Sequence, residues 1–244
     1  MQSFKTSVEK EVGKSLERIF TACPDSLETK LGNFPKYARR QALKRFLAMY
    51  EIFKVILPVK GSIVECGTYH GFSLMSWAKL STILEPENLT RRIYGFDSFG
   101  GFPSVSEADR AGAGVAEPGD FQTSSYEELM ELIQVYDQDR FLGHIPKVQL
   151  IRGDATKTIP DFMRQNTHLL ISLLFLDLDL YEPTKMALEQ FLPRMPRGSV
   201  IAFDELDNPI WPGETQALID MLPVNRLKIQ RLDWDPYIGY AILD

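Results

Sequence analysis

The segment ISLLFLDLDLY, residues 171–181, begins as an uninterrupted apolar run and ends in two carboxylates, Asp177 and Asp179. A short apolar run of this kind is typical of a strand that is buried on both faces. A second apolar segment ends in the same way, in Phe203-Asp204-Glu205. In an open α/β sheet the ligand crevice lies at the carboxyl ends of the strands, so carboxylates gathered there indicate chemistry rather than stability. The cluster predicts a divalent metal and a general base.

Short apolar strands alternate with longer helical segments from Ser62 onward, which is typical of βαβ units and a parallel sheet. Seven strands are predicted, at residues 62–66, 92–97, 147–152, 171–177, 198–204, 226–232 and 237–243. Helices are predicted at residues 3–21, 36–57, 72–84, 125–138, 156–165, 182–193 and 213–222. The predicted fold is an α/β, doubly wound, Rossmann-like sheet that is mostly parallel. We expect one structural domain, with an N-terminal helical extension at residues 1–58 and the sheet at residues 59–244.

The composition is that of an ordinary soluble globular protein, with 44% hydrophobic and 25% charged residues among 244. A net charge of −6 leaves no basic surplus for a phosphate backbone, so nucleic acid is not an expected partner. The sequence has no signal-peptide core at residues 1–10 and no apolar run of about 18 or more residues, so we expect a cytoplasmic protein with no membrane partner. Cys23 and Cys66 are too few for a disulfide framework and lack metal-binding spacing.

One segment interrupts the alternation of strands and helices. Residues 103–124 are rich in Gly, Ser and acidic residues and contain little that could pack. Long segments of this kind inside compact domains are lids, binding loops or disordered. We expect a lid here, with a disordered loop as the alternative.

Three successive predicted strands end in an acid, namely Glu65, Asp97 and Asp154. The first runs into ECGTYHGFS, residues 65–73, whose two glycines permit a sharp turn and a helix that begins close to a ligand. Asp97 lies about where a ribose diol would lie in a doubly wound sheet, and Asp154 could accept a hydrogen bond from the amine of an adenine. Each acid has an alternative role as a helix N-cap. The three together favour a bound cofactor, but the missing GxGxxG pattern argues against NAD or FAD.

These strand ends, with their order and spacing, resemble the S-adenosylmethionine site of class I methyltransferases. The resemblance lies in Glu65-Cys66-Gly67 with Gly71, in Gly95-Phe96-Asp97-Ser98-Phe99 and in Gly153-Asp154-Ala155. The acidic strand ends narrow it to the macrocin O-methyltransferase family, whose members methylate sugar hydroxyls in antibiotic biosynthesis. The segment FDELDNPIWPGE, residues 203–214, is especially similar to the deoxyhexose 3-O-methyltransferase members. The resemblance covers residues 36–244.

The resemblance implies a class I methyltransferase domain at residues 59–244 that uses S-adenosylmethionine and Mg²⁺ or another divalent cation. It implies that Asp179 removes the proton of the hydroxyl. The implied metal ligands are Asp177, Asp204 and Glu205, the last of which is Asp in many relatives. The residues expected to bind S-adenosylmethionine are Glu65, Gly67, Thr68, Tyr69, His70, Gly71, Ser73, Asp97, Ser98, Phe99, Asp154, Ala155 and Asp177.

Two further expectations concern the substrate side of the predicted site. Asp177 and Asp179 are two residues apart, so both face the cavity if the strand continues that far; the alternative for Asp179 is to cap the helix that follows. Tyr181 and Trp211 are predicted substrate contacts, with Trp211 stacking on the sugar. The alternative for both is packing.

The sequence thus predicts a metal-dependent O-methyltransferase that acts on a deoxyhexose hydroxyl, at the 3-position, of a glycosylated natural product or a nucleotide sugar. A catechol-type methyltransferase, whose metal would chelate vicinal phenolic hydroxyls, is the alternative among enzymes of this chemistry. A nicotinamide-dependent oxidoreductase and a non-catalytic cofactor-binding module are the alternatives from other classes. The expected partner is a small-molecule glycoside or nucleotide sugar, and the resemblance implies a homo-oligomer, a dimer or higher.

Overall fold

The computed structural model describes residues 6–110 and 116–244. Its helices are α1 (Ser7–Ala22), α2 (Leu27–Gly32), α3 (Arg40–Ile56), α4 (Phe72–Leu84), α5 (Glu107–Arg110), α6 (Ser125–Gln138), α7 (Ala155–Gln165), α8 (Tyr181–Phe191) and α9 (Gly213–Met221). Its strands are β1 (Ser62–Cys66), β2 (Ile93–Asp97), β3 (Val148–Arg152), β4 (Ile171–Leu176), β5 (Val200–Phe203), β6 (Gln230–Leu232) and β7 (Asp235–Ile242).

The strands form one seven-stranded sheet in the order β3-β2-β1-β4-β5-β7-β6. Strands β1 to β5 pair with one another in parallel, whereas β7 is antiparallel to both β5 and β6. The chain winds outward in both directions from β1 and β4, so the topological switch point lies between these two strands. The predicted doubly wound, mostly parallel, Rossmann-like sheet is therefore confirmed.

The described chain divides into two compact units, one that ends at Leu47 and one from Ala48 to Asp244. In the first, Ser26 caps α2 by accepting a hydrogen bond from the backbone N–H of Thr29, and the Phe20 ring meets the Tyr37 ring edge to face at 4.9 Å. The second unit holds the whole sheet. The predicted boundary between residues 58 and 59, and the single structural domain, stay predictions.

Aromatic side chains cover both faces of the central strands. Phe175 of β4 and Phe96 of β2 lie at adjacent register positions of the aligned sheet, so they point to opposite faces. On one face Phe175 packs against Trp77 of α4, with ring centroids 5.7 Å apart. On the other, Phe96 packs against Phe162 of α7 at 5.2 Å and Phe191 of α8 at 5.7 Å. The apolar run of β4 is therefore buried on both faces, as its composition predicts.

The structure differs from the predicted elements mainly at their ends. Strand β4 stops at Leu176 and not at residue 177, and β5 stops at Phe203 and not at 204. Helices α2 and α5 were not predicted, because six and four residues are too short to show a helical period. No described helix is long and apolar enough to cross a membrane.

At the amino edge of the sheet, one buried guanidinium ties the end of α3 to the strands. Arg91 is 2% exposed and donates hydrogen bonds to the carbonyl oxygens of Ile56 and Val59 and of Gly61, each at 3.0 Å. It also lies 2.7 Å from the carboxylate of Glu85. A planar group with five donors can satisfy several helix-end carbonyls at once, which a lysine ammonium cannot do in the same geometry.

Replacing Arg91 by Ala should destabilise the fold by about 3–5 kcal/mol, because the largely buried Glu85 carboxylate would lose its charged partner and keep only its hydrogen bonds from Ser81 and Asn88. Arg91→Lys should recover only part of this loss. Urea unfolding followed by circular dichroism gives the free energies. Lys54→Ala is the control, since Lys54 pairs with Glu51 in an exposed ion pair worth about 0–1 kcal/mol. A loss no larger than that of the control would contradict the role of Arg91.

Candidate functional site

The carboxyl ends of five strands meet at one edge of the sheet. Backbone hydrogen bonds extend the ladder just past the strands: Gly67 N–H donates to Phe96, Asp177 N–H to Cys66, and Asp204 N–H to Leu176, at 2.8–2.9 Å. Gly153 N–H donates likewise to Asp97, at 2.9 Å. The segments that follow the strands are therefore held in register. The predicted acids of different strands lie at this shared edge.

Strained backbone is concentrated at this edge. Four residues other than glycine that follow strand ends have positive φ angles: Tyr69 at 49°, Phe99 at 55°, Asp179 at 60° and Asp207 at 61°. Such conformations are costly for side chains with a Cβ and persist only where the surroundings over-determine them. Residues of this kind cluster at functional sites, so the backbone geometry marks the same edge as the acids do.

Asp97 orders the predicted cofactor loop. One of its carboxylate oxygens accepts a hydrogen bond from the backbone N–H of Tyr69, at 2.7 Å, and the other from that of Phe99, at 2.6 Å. Each carboxylate oxygen keeps capacity for a further donor, such as a ribose hydroxyl. Gly71, with φ 81°, begins α4 and has no side chain that could block its first amides. This leaves a helix N-terminus beside the loop, as expected for cofactor binding.

Three predicted cofactor residues lie beneath this loop. Glu65 is fully buried and accepts a hydrogen bond from the hydroxyl of Ser73, at 3.0 Å. Thr68 is 2% exposed, and a Cβ added at Gly95 would lie 2.9 Å from its hydroxyl. The structure thus joins Glu65 to Ser73 and buries all three of these side chains.

Three other predicted cofactor residues are exposed or half-buried. His70 is exposed, with its Nδ1 3.4 Å from the hydroxyl of Thr123. The Ser98 hydroxyl donates to the carbonyl of Gly101, at 2.6 Å. Tyr69 is 44% exposed, and its ring meets the His70 ring at 4.1 Å.

Asp154 takes the role of a helix cap. It is the N-cap of α7 and accepts hydrogen bonds from the backbone N–H of Thr156, at 3.0 Å, and from its hydroxyl, at 2.7 Å. Burial raises the pKa of Asp154, but the hydrogen bonds from Thr156 and the neighbouring Lys157 together lower it, so the pKa lies below its ordinary value. Ala155 follows inside the helix and is 8% exposed. The contact of Asp154 with an adenine amine stays a prediction.

Asp179 lies on a turn and not on a strand. Strand β4 ends at Leu176 and Asp179 has a left-handed φ of 60°, so the strand does not continue as far as the predicted alignment of Asp177 with Asp179 requires. The capping alternative for Asp179 is also not realised, since α8 has Leu180 as its N-cap and no side-chain cap from that residue. Burial, then the charges of Glu205 and Asp204, raise the pKa of Asp179 to about 7.

Glu214 is a site residue for which sequence analysis predicts no role. It lies in the first turn of α9, is 1% exposed, and accepts hydrogen bonds from the backbone N–H groups of Leu178, at 2.7 Å, and Asp179, at 3.3 Å. Burial, then the charge of Asp179, raises the pKa of Glu214 well above its ordinary value. A glutamate directly after Pro212-Gly213 at a helix start was the available signal, but nothing in the sequence links it to residues 178 and 179.

The predicted metal ligands lie near one another at the ends of β4 and β5. Asp177, Asp204 and Glu205 are all partly buried, and Glu205 accepts a hydrogen bond from the side-chain amide of Asn208. Their carboxylate oxygens are the donors that Mg²⁺ takes in proteins. Among the residues that the structure describes, no three acidic, histidine or cysteine side chains approach closely enough to hold a metal ion. The donor chemistry fits a cation, while a closed ligand set is not formed.

The two predicted substrate residues pack against neighbouring elements. The Tyr181 hydroxyl donates to Asp220 of α9, at 2.9 Å. Trp211 is 8% exposed, and its ring lies 5.9 Å from that of Phe102 and 5.7 Å from that of Phe121. Both side chains lie in packed positions beside the acidic edge, the strand ends that carry Asp177, Asp179, Asp204 and Glu205. These positions match the packing alternative, and contact of either side chain with a substrate stays a prediction.

The described part of the segment at residues 103–124 lies against this edge. It contains α5, and the carboxylate of Asp109 accepts hydrogen bonds from the backbone N–H of Ser106, at 2.9 Å, and of Tyr181, at 2.7 Å. Asp109 thereby supplies the cap that the N-terminus of α8 lacks. Residues 111–115 lie outside the described residues, so the choice between a lid and a disordered loop stays open there.

Comparison with known proteins agrees with this geometry. A family model described as a methyltransferase domain matches residues 64–206. The crystal structure of CalS11, a calicheamicin methyltransferase, is 35% identical with a TM-score of 0.94, and the match covers 98% of this chain and 94% of that one. No curated protein matches the chain.

Two further solved structures are similar. The apo structure of CalS11, described as a TDP-rhamnose 3'-O-methyltransferase in calicheamicin biosynthesis, is 34% identical with a TM-score of 0.86, over 98% of this chain and 96% of that one. The O-methyltransferase NovP is 20% identical with a TM-score of 0.63, over 82% of this chain and 79% of that one, which supports the fold alone.

The family match covers the segments that carry the cofactor loop, Asp97, Asp154 and the acidic edge. It does not favour the two alternatives from other classes, an oxidoreductase and a non-catalytic module. The chain therefore belongs to the class I methyltransferase family and is an S-adenosylmethionine-dependent O-methyltransferase.

Proposed function

We propose that this enzyme methylates a hydroxyl of a deoxyhexose, at the 3-position, carried by a nucleotide or by a glycosylated natural product. The proposal is supported by the similarity to CalS11 along 98% of the chain, since that protein is described as acting on TDP-rhamnose at the 3'-hydroxyl. The observation that supports this chemistry is the environment of Asp179. It is a carboxylate at the ligand-binding edge whose pKa is raised to about 7, which is suited to a general base at neutral pH.

The transfer forms a bond between the sugar oxygen and the methyl carbon and breaks the bond from that carbon to the sulfonium sulfur. The hydroxyl proton passes to Asp179, and S-adenosylhomocysteine leaves as the neutral thioether. Because the hydroxyl is a poor nucleophile, the base must be close to it and ionised when the methyl group is in line. The loop ordered by Asp97 would hold the cofactor, and Asp179 would orient and deprotonate the hydroxyl.

We propose that Asp177, Asp204 and Glu205 hold a divalent cation. When bound, the cation supplies a Lewis acid that binds vicinal hydroxyls and favours the alkoxide. The repulsion that Asp204 and Glu205 exert on Asp179 supports this assignment, because a cation bound among these carboxylates would reduce that repulsion. The expected homo-oligomer is a further proposal, which light scattering on the purified protein would check.

A substrate panel tests the proposed function. With S-adenosylmethionine and a set of TDP-deoxyhexoses, glycosides and catechols, mass spectrometry should show a gain of one methyl group on a deoxyhexose and none on the catechols. Nuclear magnetic resonance of the product should place the methyl group at the 3-oxygen. EDTA should abolish the gain, and added Mg²⁺ should restore it. Transfer only to catechols would support the catechol-type alternative, and equal rates in EDTA would refute the proposed cation.

Asp179→Asn should lower kcat by about 10²- to 10⁴-fold, the usual contribution of a general base, while the Kd for S-adenosylmethionine stays unchanged. Asp207→Asn is the matched control, because Asp207 has a similar φ of 61° but is exposed. It should leave kcat unchanged. Stopped assays at saturating substrate and calorimetric titration of the cofactor give both quantities; near-normal turnover by Asp179→Asn would refute the base.

The raised pKa of Asp179 also predicts pH dependence. In the cation-free enzyme Asp179 binds its proton more tightly in the folded state, so its contribution to stability is present below pH about 4 and is lost as pH rises to about 7. The Tm of Asp179→Asn should therefore exceed that of the parent at pH 8, by a margin that shrinks toward pH 4. A margin that does not depend on pH would contradict the raised pKa.

A further inference from the structure

The turn that carries Asp179 is stabilised by contacts with other parts of the chain. After β4 ends at Leu176, the chain bends so tightly that the N–H of Leu180 donates to the carbonyl of Leu178, at 2.6 Å, with Asp179 between them in a left-handed conformation. A non-glycine residue keeps such a conformation only where its surroundings enforce it. The position of the Asp179 carboxylate therefore depends on whatever binds the backbone of this turn.

Glu214 binds that backbone directly. Its Oε1 accepts hydrogen bonds from the consecutive N–H groups of Leu178, at 2.7 Å, and Asp179, at 3.3 Å. Two successive amides that point at one oxygen fix the peptide plane between the two residues, and this plane sets the direction in which the Asp179 side chain leaves the backbone. Glu214 makes this contact while only 1% exposed, so water does not compete for the same amides.

The backbone of α9 comes unusually close to the same turn. A Cβ at Gly213 would lie 2.5 Å from the backbone nitrogen of Tyr181 and 2.7 Å from the carbonyl oxygen of Asp179. Only glycine fits here, so the first residue of α9 is pressed against the turn and delivers the Glu214 side chain to it. The same Cβ would lie 2.3 Å from the carboxylate of Asp109, which holds the N–H of Tyr181 on the far side of the turn.

The burial of Glu214 is costly for the fold. Its second oxygen, Oε2, makes no hydrogen bond with the residues that the structure describes. A buried polar atom without a partner destabilises a protein, and an apolar residue of the same size would avoid that cost. The acid is therefore better explained by what its Oε1 does at the turn than by a gain in stability.

We propose that Glu214 is a positioning residue for methyl transfer: through the amides of Leu178 and Asp179 it fixes the orientation of the Asp179 carboxylate toward the substrate hydroxyl. The proposal deepens the proposed function and rests on it, because it takes Asp179 as the base. Glu214 itself touches neither the cofactor nor the substrate. Its oxygen acts as an acceptor, so a neutral carbonyl oxygen in the same place serves equally well.

Three substitutions separate the acceptor from the charge and from the volume. Glu214→Gln keeps a carbonyl oxygen at the same reach, Glu214→Met keeps the volume without an acceptor of comparable strength, and Glu214→Asp withdraws the oxygen by one methylene. Gln216→Met is the control, because Gln216 is exposed on the same helix and its side-chain amide donates to Asp220 and not to the turn. Each variant is assayed with saturating Mg²⁺ for kcat, for the KM of the sugar substrate, for the Kd of S-adenosylmethionine and for Tm.

Glu214→Met and Glu214→Asp should lower kcat by about 10²-fold, the loss that a displacement of about 1 Å can cause, with the KM and Kd unchanged. Glu214→Gln should restore kcat to near the parent value, and Gln216→Met should leave it unchanged. A purely structural role would lower Tm and the folded fraction without this split between kcat and KM. If Glu214→Met does not fold, the comparison of Glu214→Asp with Glu214→Gln decides.

The proposal is overturned if Glu214→Gln is as impaired as Glu214→Asp, because the acceptor is then not the group that matters. It is also overturned if Glu214→Asp keeps parental kcat, or if the loss falls on KM alone. Failure of the proposed function is distinguishable: it would show as no methyl transfer to a deoxyhexose by the parent enzyme or as near-normal turnover in Asp179→Asn, whereas failure of the positioning role leaves both of those results as expected and shows only in the Glu214 variants.

Discussion

The contact between Gly67 and Asp177 joins the two halves of this active site. The hydrogen bond from the Asp177 N–H to the Cys66 carbonyl brings the cofactor loop against the end of β4, and a Cβ at Gly67 would lie 1.7 Å from the carbonyl oxygen of Asp177. No side chain fits between them. Because of this approach at the switch point of the sheet, the loop expected to bind the methyl donor and the turn that carries the proposed base are adjacent.

The acidic edge destabilises the fold, but it carries the groups that are proposed to take part in the reaction. A carboxylate that is partly desolvated beside two others is poorly accommodated when charged, which is why the pKa of Asp179 rises to about 7. The buried Glu214 adds to the same cost. The apolar sheet beneath, with β1 and β4 fully buried, supplies the stability that this edge loses. Backbone strain, burial and repulsion between like charges therefore occur together at Asp179.

The sequence predicted the sheet and most strand ends because period and composition are local properties. It placed Asp97, Asp177 and Asp204 at one edge correctly, since parallel strands end together. It could not predict the left-handed φ of Asp179, whose backbone N–H donates a hydrogen bond to Glu214, 35 residues away in the chain. Nor could it predict that Asp109 caps α8, a contact between residues 72 positions apart. The missed features are those created by long-range contacts of the backbone.

The cap that Asp109 supplies to α8 has a consequence for the folding of the enzyme. The sheet strands can pair in their final register without Asp109, but the start of α8 cannot be completed until the segment after β2 reaches it across 72 residues. Until that segment is in place, the first backbone N–H of α8 lacks the Asp109 carboxylate as its acceptor. We therefore expect catalytic activity to require the docking of α5 as well as the formation of the sheet.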